Sequence, residues 1–325
     1  MDVREFGKTG MQFSKLGYGA GAVGGLMVRG TPTEREASIG RALDAGISYF
    51  DTAQAYGEGL SETHLGQALR ALKASPFVGT KFRILPAMRG KLGAALAAGL
   101  EGSLQRLGRD SVDLFQLHNP ITMAGGDDLI SLAELEQELV PAMRKLREQG
   151  KIRFAGITGL GETAALKQVV ASGAFQAAQS PFNLLNPTGL TPMPAGLPGQ
   201  DFAGLITDCV QHGVGVIGIR IIAAGALSGE VERHPGAMPN VAPIASAGSY
   251  AADVAAARRL LPLVTEGAVG SLTELALRYA LTPDEIGTAL IGTADLHQLE
   301  QALAAAAKGP LPAATIARAR ALLAA

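Results

Sequence analysis

The chain has 325 residues, with 28 Lys and Arg against 29 Asp and Glu and hydrophobic residues making up 47 %. A net charge of −1 gives no electrostatic footing for contacts to a phosphate backbone, so nucleic-acid binding is excluded as a main function, while the apolar share is enough for one large α/β domain or two ordinary ones. One cysteine, Cys209, excludes an internal disulfide, suits a reducing compartment and reads as a core residue.

The N-terminal "MDVREFGKTGMQFSKLG" mixes charges with apolar residues and has no core of signal type. Its two short extended pieces around "GKTG" predict a hairpin. Alternation then sets in. "KLGYGAGAV" (15–23) precedes a helical pattern in which Thr33 and Glu36 have capping-box spacing. "ISYFDTA" precedes "SETHLGQALRALKA", with Ser61 as the expected N-cap. "PFVGTKF" precedes "GKLGAALAAGLEGSLQRLG", and "SVDLFQLH" precedes "DLISLAELEQELVPAMRKLREQG". "IRFAGITG" precedes "ETAALKQVVASG". "AFQAAQSPFN" precedes a loop and "DFAGLITDCVQHG". "GVGVIGIRII" precedes a long loop and helices between 251 and 280. "IGTALIGT" precedes "DLHQLEQALAAAAKG", and "LPAATIARARALLA" adds a last helix.

The most apolar stretch, 213–229, contains Arg220 and five glycines, which suits a buried strand and loop better than a membrane span. A cytoplasmic protein without a membrane partner is expected. Eight strand–helix units in series, with apolar strands of parallel type, fit one (β/α)8 TIM barrel over residues 1–325, with the N-terminal hairpin plugging its floor and extra C-terminal helices. An open doubly wound sheet shares the alternation. Three loops exceed the usual length: 119–130, 184–200 and 223–250. All three follow strands, on the face where barrel enzymes build their sites.

Polar residues at the ends of these apolar strands mark the candidate site. Asp51 ends the second strand, Lys81 the third and His118 the fourth, with Tyr56 just beyond Asp51. Singly, each has a plain structural role: a turn cap, a surface lysine, a core histidine, a packed ring. A barrel brings all four to one mouth. A tyrosine is a usable acid, but a pKa of about 10 is high for exchange near neutrality. A close ammonium favours the phenolate, and a buried carboxylate can hold that ammonium. An acid, a charge that tunes it and an anchor for that charge could thus stand together at the mouth.

"GISYFDTAQAYGEGLSETHLGQAL", followed by "VGTK" and "VDLFQLHNP", resembles the aldo-keto reductase family around its catalytic Asp, Tyr, Lys and His. "GKIRFAGITG", "FQAAQSPFN" and "AAGALSG" resemble its fifth and sixth strands and the turn after the seventh. The resemblance covers essentially the whole chain. It implies a (β/α)8 barrel, NADP or NAD as cofactor, no metal, and a small-molecule carbonyl or alcohol as substrate, with Tyr56 as the proton donor, Lys81 its tuner, Asp51 the anchor of Lys81, and His118 orienting the carbonyl and assisting proton transfer. It also implies that Thr158 and Gln179 bind the carboxamide. Gly225, Leu227, Ser228 and Gly229 would cradle the diphosphate, and Gly292, Thr293, Gln298 and Gln301 would lie near the adenosine.

The chain departs from the family pattern in three places. Glu230 and Asp295 stand where NADP enzymes of the family place cations, which leans to NAD against the family's lean to NADP. Ile219 replaces a stacking aromatic. Arg220 follows it deep in the apolar strand and needs a partner, for which cofactor phosphate, substrate or a carboxylate would all serve. Two other readings of the four-residue set stay open: a nucleotide-binding regulatory subunit with little turnover, and a barrel aldolase using Lys81 as a Schiff base. Five scattered histidines without ligand spacing speak against a metal hydrolase. An oligomer is open on composition alone.

Overall fold

Eight parallel strands close into a barrel in the computed structural model, which describes residues 1–324. The strands are β1 (Val3–Glu5), β2 (Gln12–Ser14), β3 (Leu16–Gly19), β4 (Tyr49–Asp51), β5 (Phe77–Phe82), β6 (Val112–Leu117), β7 (Ile121–Thr122), β8 (Ile130–Ser131), β9 (Ile152–Thr158), β10 (Ala177–Pro181), β11 (Gly215–Ile219) and β12 (Thr288–Ile291). Around the barrel the order is β3, β4, β5, β6, β9, β10, β11, β12. The pairing of Ala289 with Leu16 closes the ring. The alternative of an open sheet is thereby excluded. Every barrel strand begins and ends within the segment read as a strand from the sequence.

Side-chain alternation along each strand divides the core into two. Phe50, Val78, Phe115, Ala178 and Val216 face the surrounding helices. Their neighbours Tyr49, Leu114, Ala177 and Ile217 face the barrel axis and pack with Phe6, Met11 and Phe13. These last three belong to the hairpin of β1 and β2, which is antiparallel and pairs Arg4 with Phe13. The hairpin therefore plugs the barrel floor. Phe13 stacks on Tyr49 at 4.6 Å between ring centroids, and each fully buried ring contributes on the order of 1.5–3 kcal/mol. Gly215 leaves room for the ring of Phe6, which lies 2.7 Å from where a Cβ would stand.

Two helix starts differ from the sequence expectation. The box proposed at Thr33 and Glu36 forms two residues earlier: Thr31 caps the helix Pro32–Asp44, and the Glu34 side chain returns the bond to the Thr31 N–H. Pro32 at the first helical position fixes this start, because its ring presets φ and it has no N–H to satisfy. Ser61 is not a cap. The helix Leu60–Ala71 starts one residue before it, with Gly59 at φ 92° in the capping position. The Ser61 hydroxyl instead donates to Ala20 O at 2.7 Å and pairs with Thr52 Oγ1 at 2.8 Å, tying the helix to the ends of β3 and β4.

Of the three long loops, only 223–250 supplies residues to the cavity described below, and it opens with a 3-10 helix, Ala223–Ser228. Loop 119–130 carries β7, which pairs with β8 at its end. Residues 184–200 and 229–249 hold no helix or strand. The last helix runs Ala313–Ala324. Cys209 is fully buried in the helix Leu205–His212, and burial pushes its thiol up to about 12, in keeping with a core role. No helix among the described residues is long and apolar enough to cross a membrane.

Candidate active site

The three strand-end residues and Tyr56 meet at one mouth. Asp51 ends β4 with its side chain on the axial face, two residues after Tyr49. Its Oδ1 accepts from Lys81 Nζ, which also donates to Thr52 O at 2.8 Å. Its Oδ2 accepts from Tyr49 Oη at 3.0 Å, from Gln179 Nε2 at 2.8 Å and from Gln116 Nε2 at 3.2 Å. Four donors on one carboxylate compensate its burial, without which an ionised group at this depth would be costly. Lys81 is itself 1 % exposed. Burial alone would lower its pKa, but the Asp51 carboxylate and the Tyr56 phenol outweigh that and hold it above the ordinary value.

Tyr56 stands over this pair. The Lys81 ammonium lies 4.9 Å from its ring centroid. His118 packs edge-on against the same ring, with centroids 5.6 Å apart. Burial, then the charges of Lys81 and Arg83, push the His118 imidazole down to about 3. It is therefore held neutral near pH 7, and its buried Nδ1 has no hydrogen-bond partner.

The site floors a cavity of 640 Å³ that Asp51, Tyr56, His118, Thr158 and Gln179 line at one end and Gly292, Thr293, Gln298 and Gln301 at the other. This is within the range of small-molecule sites. Thr158 Oγ1 is buried without a hydrogen-bond partner. Gln179 spends its Nε2 on Asp51, which leaves its amide oxygen as the free end.

The middle of the cavity is less uniform than the sequence suggests. Gly225 and Ser228 line it, whereas Leu227 and Gly229 do not. The Leu227 N–H donates to Ile222 O at 3.2 Å and the Gly229 N–H to Ala226 O at 3.0 Å, so both are used within their own turn. Arg220 lines the cavity in a left-handed conformation, φ 56°. Asn183 Nδ2 holds its carbonyl at 2.8 Å. Its guanidinium makes one long bond, Nη1 to Ala242 O at 3.3 Å, and pairs with no carboxylate among the described residues. Burial lowers its pKa.

At the far end, Asp295 is not a cavity residue. Its Oδ1 caps the helix Leu296–Ala307 by accepting from Gln298 N at 2.8 Å, and its Oδ2 faces His234 Nε2 at 3.2 Å. Gln298 Oε1 accepts from Ala294 N at 2.8 Å. Glu230 does line the cavity, joined by Arg233 and by Glu232 and His234, the last two not singled out by the sequence reading. Arg233 is committed to the carbonyls of Met238 and Ala224, both at 2.6 Å, and lies over the Tyr250 ring. Tyr49 and Gln116 were also missed. Each sits two positions before a strand-end residue, and that period-2 spacing was the signal available.

The sequence pattern of the aldo/keto reductase family matches residues 15–324. L-galactose dehydrogenase of Arabidopsis thaliana is 30 % identical over 323 residues, 94 % of this chain and 88 % of that protein. L-glyceraldehyde 3-phosphate reductase of Escherichia coli K12 is 26 % identical over 333 residues, covering 93 % and 86 %. An aldo-keto reductase of Bacillus halodurans, solved in its holo form, superposes with a TM-score of 0.71 at 24 % identity over 100 % of this chain and 97 % of that one, a likeness of fold. The family match and the relatives support a carbonyl–alcohol oxidoreductase, and the chain belongs to the aldo/keto reductase family.

Proposed function

We propose that this protein transfers hydride between a nicotinamide dinucleotide, NAD or NADP, and a small carbonyl compound or the corresponding alcohol, with Tyr56 as the proton donor. The observation that carries this reading is the buried Lys81, held by Asp51 and Thr52 and set against the Tyr56 ring at the floor of a large cavity. The residues present fit a dinucleotide. An orphaned Thr158 hydroxyl and the free amide oxygen of Gln179 suit a carboxamide, and the unpaired Arg220 suits a diphosphate. Bound there, the nicotinamide would supply or accept the hydride.

The chain's own groups handle the oxygen. Tyr56 gives its proton to the carbonyl oxygen as negative charge grows there, and the ammonium of Lys81 stabilises the phenolate left behind. Asp51 fixes Lys81 and is itself fixed by four donors. His118, neutral, donates from its ring to orient the carbonyl. In the reverse direction, Tyr56 takes the proton of the alcohol.

The relatives act, by name, on a sugar and a sugar-like phosphorylated aldehyde; small hydroxyaldehydes and sugars are the substrate class to test first here. A Schiff-base role for Lys81 needs a neutral amine, and an ammonium held above its ordinary pKa works against it. The test is a fluorescence titration with NADH and NADPH, followed by turnover over a panel of aldehydes and sugars with the tighter cofactor. Binding with turnover is expected; tight binding without turnover on any carbonyl would favour a nucleotide-binding regulatory role.

A further inference from the structure

Beneath the Asp51–Lys81 pair lies a polar layer that the reaction scheme above does not use. Tyr49 is 0 % exposed and Gln116 0 %. Both donate to Asp51 Oδ2. The Tyr49 ring is backed from below by Phe13 of the hairpin, stacked at 4.6 Å. From the side, Gly79 of β5 leaves room for it. A Cβ at Gly79 would overlap the Tyr49 hydroxyl oxygen, and one at Gly156 would stand 3.0 Å from Gln116 Cγ. A buried phenol aimed at a carboxylate, in space that a glycine must vacate, is a specific arrangement: an apolar ring would fill the volume equally well. Burial and the adjacent Asp51 charge push the Tyr49 phenol well above its ordinary pKa, so it stays protonated and remains a donor.

We infer that Tyr49 is a positioning residue for the catalytic carboxylate. Its hydroxyl holds Asp51 Oδ2 and so keeps Oδ1 turned toward Lys81, and the N-terminal hairpin, through Phe13, holds the Tyr49 ring in place. Lys81 meets Oδ1, while Tyr49, Gln116 and Gln179 all meet Oδ2. This split keeps one oxygen for the lysine and prevents the carboxylate from rotating. Removal of the hydroxyl takes one donor from Oδ2 and loosens the hold on the carboxylate.

The experiment uses Tyr49→Phe in the full chain, with Tyr18→Phe as control. Tyr18 is also buried and loses a comparable hydroxyl bond, to Ser38 Oγ at 2.9 Å, but away from Asp51. The first readout is the ¹³C carboxyl resonance of Asp51 in the unliganded protein at pH 7, assigned by its disappearance in Asp51→Asn. The second is kcat against KM with the cofactor and carbonyl that serve the proposed reaction, on which this part of the inference rests. In Tyr49→Phe the Asp51 resonance should move and kcat should fall roughly fivefold, the value of one neutral hydrogen bond. The dissociation constant of the reduced cofactor should stay within about twofold, since an interaction of the carboxylate, not of the cofactor, is removed. Tyr18→Phe should change neither readout. An Asp51 resonance that stays in place in Tyr49→Phe overturns the inference, as does an equal change in both variants. A moved resonance in a protein that reduces no carbonyl keeps Tyr49 as the partner of Asp51 and sinks the proposed reaction instead.

Discussion

The two ends of the one cavity are built on different plans. At the Tyr56 end, the central carboxylate is held across strands: Asp51 of β4 by Lys81 of β5, Gln116 of β6 and Gln179 of β10. At the far end, polar side chains are held by their own neighbourhood. Asp295 caps the helix that follows it, Gln298 turns back to Ala294, and Gln301 meets His297 one turn away. Cross-strand bonds fix positions to the precision of the barrel, which catalysis needs; local bonds fix a loop that binds. Changes at the first end should therefore appear in turnover and stability, and changes at the second in cofactor affinity.

The sharpest break in that division would come from Tyr56→Phe. Loss of the proton donor should lower kcat by roughly two to four decades, the usual worth of a positioned acid. The dissociation constant of reduced cofactor should be nearly unchanged. Near-normal turnover would remove Tyr56 from the reaction. Lys81→Met strikes the same end and should be felt twice. Turnover falls because the phenolate loses its counter-charge. Stability falls by about 3–5 kcal/mol because Asp51, 2 % exposed, is left as an uncompensated buried charge. Denaturant unfolding and a kcat–pH profile check both; a variant as stable as the parent would mean that Asp51 had lost its charge along with its partner.

His118 tests the burial of this end through pH. Its folded-state pKa of about 3 lies below the ordinary 6.5. Between those values the unfolded chain binds a proton that the folded chain does not, so stability declines as pH falls through the window. The decline attributable to this residue between pH 7 and pH 4 should be about 2–3 kcal/mol. His118→Gln should flatten that part of the stability–pH curve, whatever it does to stability at pH 7. Parallel curves for the two proteins would place the imidazole in water.

The same contrast explains what the sequence discloses. Barrel strands were legible because continuous apolar runs between helical patterns have few other readings, and the candidate site because Asp51, Lys81 and His118 are polar residues ending such runs, with Tyr56 just beyond the first. Tyr49 and Gln116 sit mid-run, where a Tyr or Gln reads as strand filling unless the period-2 face is followed down from Asp51 and His118. Asp295 was misplaced for a different reason. An acid directly before a helix serves the backbone N–H groups of that helix first, and a nearby ligand only if an oxygen is left over. The same accounting applies to Leu227 and Gly229, whose N–H groups close their own turn. Loop 223–250 offers no periodicity, so Glu232 could not be told from any surface acid.

Arg220 belongs to the binding half of the comparison although a strand delivers it. Its guanidinium has no carboxylate partner among the described residues, so the folded protein without cofactor gains little from it. Arg220→Ala should leave unfolding stability equal or slightly raised, kcat at saturating cofactor unchanged, and the cofactor dissociation constant raised roughly 10- to 100-fold, the value of a charged hydrogen bond of about 1.5–3 kcal/mol. The increase should be the same for NAD and NADP, because the diphosphate is common to both. A raised KM for the carbonyl alone would move Arg220 to the substrate.

Cofactor choice should show the smallest effect. Apart from Asp51, the acids that line the cavity are Glu230 and Glu232; Asp295 is occupied by its helix and by His234. Glu230 is exposed, so its repulsion of a 2′-phosphate is felt through water and counter-ions and is worth at most about 1 kcal/mol. Arg233, the cation beside these acids in sequence, spends donors on Met238 and Ala224. The wild-type protein should on this ground bind NAD at least as well as NADP. Glu230→Lys with Glu232→Gln should raise NADP affinity relative to NAD by severalfold, and the gain should shrink as salt is raised. The ratio of the two dissociation constants, measured at low and high ionic strength, decides the point. An unchanged ratio means that the acids face away from the ribose, whereas a changed ratio indifferent to salt means that the loop has moved and that the charge was not the cause.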